Sequence, residues 1–263
     1  MFSVTSRNFL VYCSLMKLHI NKDEFIETSE AFDLSIPLSD TDNNPRAWYV
    51  DKPKFSPVMN EQFTGSVKMG GNVNFRNIFF NPHGHGTHTE CLGHITEEVY
   101  SVNETLKEYF FKAQLITISP TPMNNKDNDE VILVTQIEEI ESGVEALVIR
   151  TTPNSISKKS KDYSAKNPPY FDLKCVDLLL KKGIKHLLID LPSVDRENDE
   201  GALVFHHAFW EVPSNPNFER TITEMIFVED KIEDGIYLLN IQTAPFENDA
   251  TPSRPILYKI QKS

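Results

Sequence analysis

The most constraining feature of this sequence is a histidine-rich segment. Four of the eight histidines lie between residues 83 and 94, within the stretch NPHGHGTHTECLGH, which also contains Glu90. Imidazole and carboxylate groups together are the usual ligands of zinc, manganese and non-haem iron. Any fold of this chain must bring so many titratable groups to a place where they are satisfied, and a divalent metal site is the favoured interpretation.

The spacing within the segment indicates how its side chains converge. His88 and Glu90 are two residues apart, so in an extended strand both side chains leave the same face. Gly84 and Gly86 permit a tight or left-handed turn that brings another histidine to the same point. The spacing is not that of a His-Glu-x-x-His helix, so a metalloprotease site is not predicted. The alternatives are a solvated turn with surface histidines, or core histidines satisfied by hydrogen bonds.

Further ligand types lie in the carboxyl-terminal half. His206 and His207 stand in the apolar run LVFHHAFW, where buried imidazoles need hydrogen bonds or a metal. Glu224 interrupts the apolar run TITEMIFV, a costly place for an unpaired carboxylate. The competing interpretations are an aromatic-packed histidine in the first case and a solvent-facing strand residue in the second. Cys91 lies in the histidine segment, but nothing marks it as an exposed thiol of low pKa.

Composition disfavours several classes of protein. The 263 residues carry 26 Lys+Arg against 38 Asp+Glu, and this charge of −12 argues against nucleic acid or an anionic membrane as partner. Three widely spaced cysteines favour neither a disulfide framework nor a thiolate zinc site, and we expect a reducing cytoplasm. The apolar stretch Phe9–Met16 is too short to span a bilayer, although a signal-peptide core is an alternative. We expect Met16 to be the start of the protein, residues 1–15 a disordered extension, and residues 16–263 one domain.

Apolar patterning predicts many strands and few helices. The predicted strands are 17–20, 31–38, 77–80 (buried), 113–118, 131–137, 146–150, 184–191, 222–228, 236–243 and 255–260. Helices are predicted from Ser101, which begins a capping-box pattern, to about Lys112, and over residues 170–182 before Gly183. Residues 39–75 are predicted as long loops with short strands, of the kind that line pockets. The mixed order, without a repeat or a clear linker, indicates one α/β domain.

These residues resemble the cyclase-type metal hydrolases, a family that includes bacterial kynurenine formamidase and isatin hydrolase. The family signature is His-x-Gly-Thr-His-x-Asp-x-Pro-x-His, and this chain reads Gly86-Thr87-His88-Thr89-Glu90 followed by His94. Three further stretches are similar and occur in the same order: 33–38, 189–195, and the His-His pair with its Glu-bearing strand. The resemblance covers about residues 31–260. It implies a cyclase-like fold, a single α/β domain in which mixed β-sheets form a barrel-like core flanked by a few helices.

The chain departs from the signature at three positions. The first histidine of the family falls on Gly84, with His83 and His85 on either side, and a one-residue insertion would let His83 serve. Glu90 stands where the family has aspartate, and Leu92 stands where it has proline. The longer side chain of Glu90 is compatible with an altered backbone at this point.

The resemblance implies roles for the site residues. The implied metal ligands are His83, His88, Glu90, His207 and Glu224, with His85 and His206 as the alternates to His83 and His207. Glu90 would bridge two ions if two are bound, zinc being the first expectation and manganese the second. His94 would be the proton-transfer residue.

The implied activity is hydrolysis of a C–N bond in a small amide by a metal-bound hydroxide. The substrate would be an N-formyl arylamine such as N-formylkynurenine, or a cyclic amide. Trp48, Tyr49, Phe79 and Phe80 are candidates for an apolar wall around it, although aromatic residues more often belong to the core. The alternatives are a lactone or cyclic-ester hydrolase with the same site, and a non-catalytic protein that binds a metal or small ligand. Dimers are common in the family, so we expect a homodimer with a small-molecule substrate.

Overall fold

A computed structural model describes residues 16–263; the expected extension, residues 1–15, lies outside the described residues. The strands are β1 Lys17–His19, β2 Glu24–Glu27, β3 Ala31–Asp33, β4 Lys54–Pro57, β5 Met59–Asn60, β6 Phe63–Thr64, β7 Arg76–Phe79, β8 His88–Glu90, β9 Phe110–Ile118, β10 Thr121–Pro122, β11 Glu130–Ile132, β12 Ala146–Thr151, β13 Tyr170–Phe171, β14 His186–Ile189, β15 Thr221–Glu224, β16 Gly235–Thr243, β17 Ala250–Lys259 and β18 Gln261–Lys262. The α-helices are α1 Val102–Thr105, α2 Lys174–Lys182 and α3 Val204–Phe209. Of these helices, none is long and apolar enough to cross a bilayer within residues 16–263.

Seven strands close into a mixed barrel. Their order is β9-β12-β14-β15-β8-β17-β16, and the pairing of β16 with β9 closes the ring. Strands β9, β12, β14 and β15 run parallel to one another, whereas β8, β17 and β16 are antiparallel to their neighbours. Strand β3 adds to β17 outside the ring. The predicted single α/β domain with a barrel-like core and few helices is therefore confirmed.

The parallel strands form the centre of the core. Every residue of β12 (ALVIRT) and β14 (HLLI) is buried, as expected for parallel strands that are covered on both faces. Helix α2 contributes Val176 and Leu179 to the same hydrophobic core. Its predicted end is confirmed at Gly183, which adopts a φ of 77° that favours glycine.

The predicted helix from Ser101 to Lys112 is wrong beyond its first turn. The Ser101 hydroxyl accepts a hydrogen bond from the Asn103 N–H, as a helix cap does, but α1 ends at Thr105. From Phe110 the chain joins β9 between β12 and β16, because pairing within the barrel outweighs local helix propensity. The second predicted helix likewise starts at Lys174, since residues 170–171 pair as β13 with β11.

Most strand predictions are confirmed in the barrel, with changes in length. The segments predicted at 113–118, 146–150 and 236–243 lie within β9, β12 and β16. The predicted strands 31–38 and 131–137 are shorter in the structure, where β3 ends at Asp33 and β11 at Ile132.

The strand predicted as buried at 77–80 is exposed. It is β7, which pairs with β4 in a separate two-stranded sheet, and all four of its residues face solvent. We call residues 54–79 the apolar ribbon. Its exposed large apolar side chains are Met59, Phe63, Val67, Met69, Val73, Phe75, Ile78 and Phe79. The ribbon is closely packed on itself, since a Cβ at Gly65 would clash with the Phe75 carbonyl oxygen.

Candidate metal centre

Seven titratable side chains converge beside β8, and we call them the cluster. They are His83, His88, Glu90, His94, His206, Glu224 and Asp249. His206 and Glu90 are 116 positions apart in the chain, yet the Nε2 of His206 lies 3.1 Å from the Oε1 of Glu90. The convergence that a metal site requires of the two halves of the sequence is therefore present.

Strand β8 explains how three members meet. His88 and Glu90 project from the same face of this strand, as predicted, and both are buried. In the antiparallel pair with β15, His88 lies opposite Glu224, so the two side chains share a face. The His88 Nε2 lies 3.5 Å from the Glu224 Oε2. Glu224 is thus an inward-facing residue rather than a solvated one.

Three imidazoles of the cluster have one ring nitrogen anchored and the other directed at a carboxylate. The anchoring contacts are His88 Nδ1 to Gly86 O at 2.9 Å, His206 Nδ1 to Asp195 Oδ2 at 2.6 Å, and His83 Nε2 to Asp249 Oδ2 at 2.8 Å. A neutral ring that donates from one nitrogen presents a lone pair at the other. The remaining nitrogens face Glu90 or Glu224. Metal-binding histidines are held in this manner.

Three polar atoms at the centre of the cluster are buried and make no hydrogen bond of good geometry among the described residues, although one of them, the Glu90 Oε2, lies 3.0 Å from the His83 Nδ1. They are His88 Nε2, Glu90 Oε2 and Glu224 Oε1. Each such atom costs about 1–3 kcal/mol if it stays unpaired. His83, His88 and Glu90 each place one ligand atom within 4.8 Å of the other two. Two imidazoles and a carboxylate suit a divalent cation, so the residues present fit such an ion.

The electrostatics of the cluster favour positive charge. Burial opposes protonation of His83, but the carboxylates of Asp249 and Glu90 outweigh it and raise its pKa to about 10. Burial also opposes protonation of His206, and the carboxylates in contact with its ring raise its pKa to about 10. Burial raises the pKa of Glu224, and the nearby charge of Glu90 raises it further. Protons on the imidazoles or a bound cation would supply the charge that this site stabilises.

Helix α3 decides between the two adjacent histidines. His206 lies in the cluster, whereas the favoured His207 lies outside it, with its Nδ1 3.4 Å from a backbone carbonyl oxygen. Successive helix residues point about 100° apart, so the two rings cannot face the same point. The structure therefore places in the cluster the alternate, His206, and not His207, which the sequence favoured. Asp195 fixes the phase of the helix, because its carboxylate accepts from the backbone N–H groups of Phe205 and His206.

The other two alternates, His83 and His85, also lie in different places. His83 lies in the cluster, and His85 points away from it. The Nδ1 of His85 accepts from the Asn81 N–H, and its Nε2 donates to the Asp51 carbonyl oxygen. Burial lowers the pKa of His85, as expected for a neutral ring in a structural position. His85 therefore lies between Gly84 and Gly86 as a structural residue of this turn.

His94 and Asp249 form the partly exposed side of the cluster. The His94 side chain is 29% exposed, and its ring stacks on that of His83 with centroids 4.1 Å apart. Its Nδ1 lies 3.4 Å from the Asp249 Oδ2. Asp249 was not predicted, because in PFENDA it resembles any acidic loop residue. Strand register could have indicated it, since Asp249 directly precedes Ala250, the residue opposite Glu90.

The four aromatic residues proposed as a substrate wall do not come together. Trp48 packs against a small group of buried residues that includes Tyr163. Tyr49 and Phe79 are 73% and 76% exposed. Phe80 lines a cleft of about 580 Å³, and of the described residues that line this cleft none belongs to the cluster.

The surroundings of Cys91 do not suit a nucleophile. The residue is fully buried beside β8, and its thiol contacts the Tyr100 carbonyl oxygen. Burial raises the pKa of the Cys91 thiol to about 11, so the reactive thiolate is scarce at neutral pH.

Comparison with known proteins identifies similar sequences along most of the chain. A family model described as "Putative cyclase" matches residues 32–196. Kynurenine formamidase of Bacillus cytotoxicus is 26% identical over 235 residues, which cover 88% of this chain and 99% of that protein. Kynurenine formamidase of Bacillus thuringiensis (strain Al Hakam) is 27% identical over 238 residues, which cover 89% of this chain and all of that protein.

Solved structures share the fold at lower identity. A potential metal-dependent hydrolase with cyclase activity aligns with a TM-score of 0.61 and 16% identity, over 87% of this chain and 96% of that one. An isatin hydrolase bound to the product analogue thioisatinate aligns with a TM-score of 0.59 and 14% identity, over 88% of this chain and 93% of that one. At these identities the likeness concerns the fold alone.

Proposed function

This chain belongs to the cyclase family, and from that premise we propose that it is a metal-dependent hydrolase that cleaves the C–N bond of a small amide. The observation that carries the proposal is the buried cluster, where ligand atoms converge and three polar atoms make no hydrogen bond of good geometry within the described chain. Similarity to proteins named kynurenine formamidase, along nearly nine-tenths of the sequence, supports an amide as the substrate class.

In this proposal His83, His88 and Glu90 hold one divalent cation, with zinc as the first expectation and manganese as the second. The cation, when bound, lowers the pKa of a water molecule and polarises the substrate carbonyl. Glu90 has two oxygens that face different imidazoles, His83 and His206. This arrangement supports a second role for Glu90, as a shared ligand of a further cation that His206 and Glu224 would hold.

His94 is the residue that we propose for proton transfer. It accepts a proton from the attacking water and passes it to the leaving amine, as a general base and then a general acid. Its partial exposure fits this role, because a substrate must reach it while the buried ligands stay covered. His83 and Asp249, at 19% and 16% exposure, mark the same side as the approach to the site.

The finer substrate proposal is an N-formyl arylamine such as N-formylkynurenine, supported by the names of the similar proteins. A cyclic amide is the second candidate, supported by the fold shared with an isatin hydrolase. A lactone would be opened by the same attack on a carbonyl carbon. The experiment is therefore a hydrolysis panel of N-formylkynurenine, isatin and a simple lactone on zinc-loaded and manganese-loaded protein.

A His94→Ala variant separates catalysis from binding. We expect loss of turnover with unchanged metal content, measured by atomic emission. Absence of hydrolysis by the unaltered protein across the panel would favour a non-catalytic binding protein. Unfolding on chelation, followed by circular dichroism, would instead indicate a structural metal site.

We also propose that the protein is a homodimer that associates through the apolar ribbon. Eight large apolar side chains in this segment are exposed, and a concentration of exposed apolar side chains is typical of a protein contact. Light scattering on the eluting protein tests the oligomeric state.

A further inference from the structure

Asp249 connects two members of the cluster that have different proposed roles. Its Oδ2 lies 2.8 Å from the His83 Nε2 and 3.4 Å from the His94 Nδ1. We propose that Asp249 is a positioning residue, which orients His83 for metal binding and His94 for proton transfer. This inference rests on the function proposed for the cluster.

The position of Asp249 is set by the same strand pairing that carries the ligands. Its backbone carbonyl accepts from the Cys91 N–H at 3.0 Å, directly after Glu90 in the chain. The preceding residue, Asn248, accepts from the Val102 N–H at the start of α1. Asp249 is therefore fixed at the junction of β8, β17 and α1, rather than free in a loop.

The contact with His83 selects the nitrogen that this ring offers to a cation. When the ring is neutral, donation from its Nε2 to Asp249 leaves the lone pair on the Nδ1, the nitrogen that lies 3.0 Å from the Glu90 Oε2. Without the carboxylate the ring would be free to exchange tautomers and to rotate. Loss of such an outer partner typically lowers metal affinity or activity by roughly 10–100-fold.

The contact with His94 acts on the second proposed role. The His94 ring stacks on the His83 ring, at 29° to it, and its Nδ1 faces the Asp249 carboxylate. With its Nδ1 turned toward Asp249, the ring offers its Nε2 for proton transfer. A carboxylate beside such a ring holds its tautomer and stabilises the imidazolium that forms when the ring accepts a proton.

A direct ligand role for Asp249 is the main competing assignment. His83, His94 and Asp249 also place one atom each within 4.8 Å of one another. The positioning role is favoured because the Asp249 Oδ2 already faces ring nitrogens of both histidines. The two assignments predict different losses of metal on substitution.

The first experiment measures zinc affinity by competition with a chromophoric chelator, which needs no substrate. Asp249→Asn should weaken zinc binding by roughly 10–100-fold, and Asp249→Glu should recover part of the loss. Glu247→Gln is the matched control, since this exposed carboxylate in the same loop contacts Asn103 and should leave affinity unchanged. In a His83→Ala background, Asp249→Asn should cause no further weakening.

Two outcomes would overturn the inference from this experiment. Zinc affinity unchanged in Asp249→Asn would show that the carboxylate does not position His83. Complete loss of zinc at saturating metal, equal to that in Glu90→Ala, would make Asp249 a ligand.

The second experiment measures kcat with zinc-saturated protein. Asp249→Asn should lower kcat about tenfold or more at unchanged KM, and it should leave the residual kcat of a His94→Ala variant unchanged. An equal loss with and without His94 would refute action through that ring. If the unaltered protein hydrolyses nothing in the panel, the proposed function fails, while the zinc measurement still tests the positioning of His83.

Discussion

The cluster and the apolar ribbon both invert the usual distribution of side chains, in opposite directions. The cluster buries charged groups, with Glu90 1% and Glu224 3% exposed, whereas the ribbon exposes apolar groups, with Phe79 76% exposed. Buried charges are normally paired, and contiguous exposed apolar surfaces normally mark contacts. Within residues 16–263, therefore, each region is incomplete: the first calls for positive charge and the second for a covering surface.

A cation bound in the cluster and a partner bound on the ribbon would affect the protein differently. A cation in the cluster would offset desolvation inside one folded chain, so its removal should affect both chemistry and the free energy of unfolding. A partner on the ribbon would cover side chains that the monomer tolerates in water, so its removal should affect association alone.

Glu90→Ala should abolish the metal site while the chain stays folded. This residue contributes the only carboxylate of the group formed with His83 and His88 among the described residues. Loss of the cation would remove several kcal/mol of transition-state stabilisation, roughly a 10³-fold fall in kcat/KM. Atomic emission measures the metal, and Glu97→Ala, at an exposed glutamate, is the control. Metal retained by the Glu90 variant would contradict its proposed bridging role.

Chelation should lower the free energy of unfolding without unfolding the protein. At a metal concentration 100–1,000 times the dissociation constant, binding contributes about 3–4 kcal/mol, and chelation removes it. Urea titrations with and without chelator measure the difference, and in Glu90→Ala the two curves should coincide. A chelator effect that persists in the Glu90 variant would show that the cation binds elsewhere.

Sequence patterns were informative about the cluster where the signal was local. Two-residue alternation in an extended segment predicted that His88 and Glu90 share a face, and the strand confirms it. The choice between His206 and His207 depends on the phase of a six-residue helix, which Asp195 sets from outside it. Asp249 depends on strand register, which no local pattern encodes. Contacts between distant parts of the chain therefore determine the position of His206 and Asp249, and local sequence patterns do not reveal such contacts.

The ribbon shows a different limit of sequence interpretation. The apolar run NIFF predicted a buried strand, and β7 is a strand, but its side chains are exposed. Hydrophobicity indicates that a segment favours burial, yet it does not distinguish burial within the chain from burial against a partner. The error is thus informative, because it singles out the surface that we propose for association.

Phe79→Ser should weaken the proposed dimer and leave the monomer intact. Truncation of a large apolar contact typically costs about 1–3 kcal/mol of association, roughly 10–100-fold in the dissociation constant. Because the side chain is 76% exposed, the free energy of unfolding of the monomer should change by less than about 0.5 kcal/mol. Analytical ultracentrifugation measures the dissociation constant of the dimer. Ile156→Ser, at an apolar residue that is 67% exposed outside the ribbon, should not alter association.

A buried histidine outside both regions provides the reference for this comparison. Burial lowers the pKa of His186 to about 3, and its Nδ1 lies 2.8 Å from the Thr221 hydroxyl, so its own chain satisfies the neutral ring. The unfolded value is near 6.5, so the unfolded state binds the proton first and stability should fall as pH drops below about 6.5. In the metal-free cluster the raised pKa values of His83 and His206 give the opposite sign, with stability lost as pH rises from about 6.5 to about 10.

His186→Gln should therefore flatten only the acid side of the stability profile. We expect the loss of unfolding free energy between pH 7 and pH 5 to shrink by about 1–2 kcal/mol, while the alkaline side, which depends on the cluster, stays unchanged. Urea unfolding of the metal-free protein across this range measures both sides in one series. An unchanged acid slope would mean that His186 is not the group that titrates, whereas a change on the alkaline side would mean that the two buried sites are coupled. The first result would remove the reference, and the second would show that the cluster is not an independent unit of the fold.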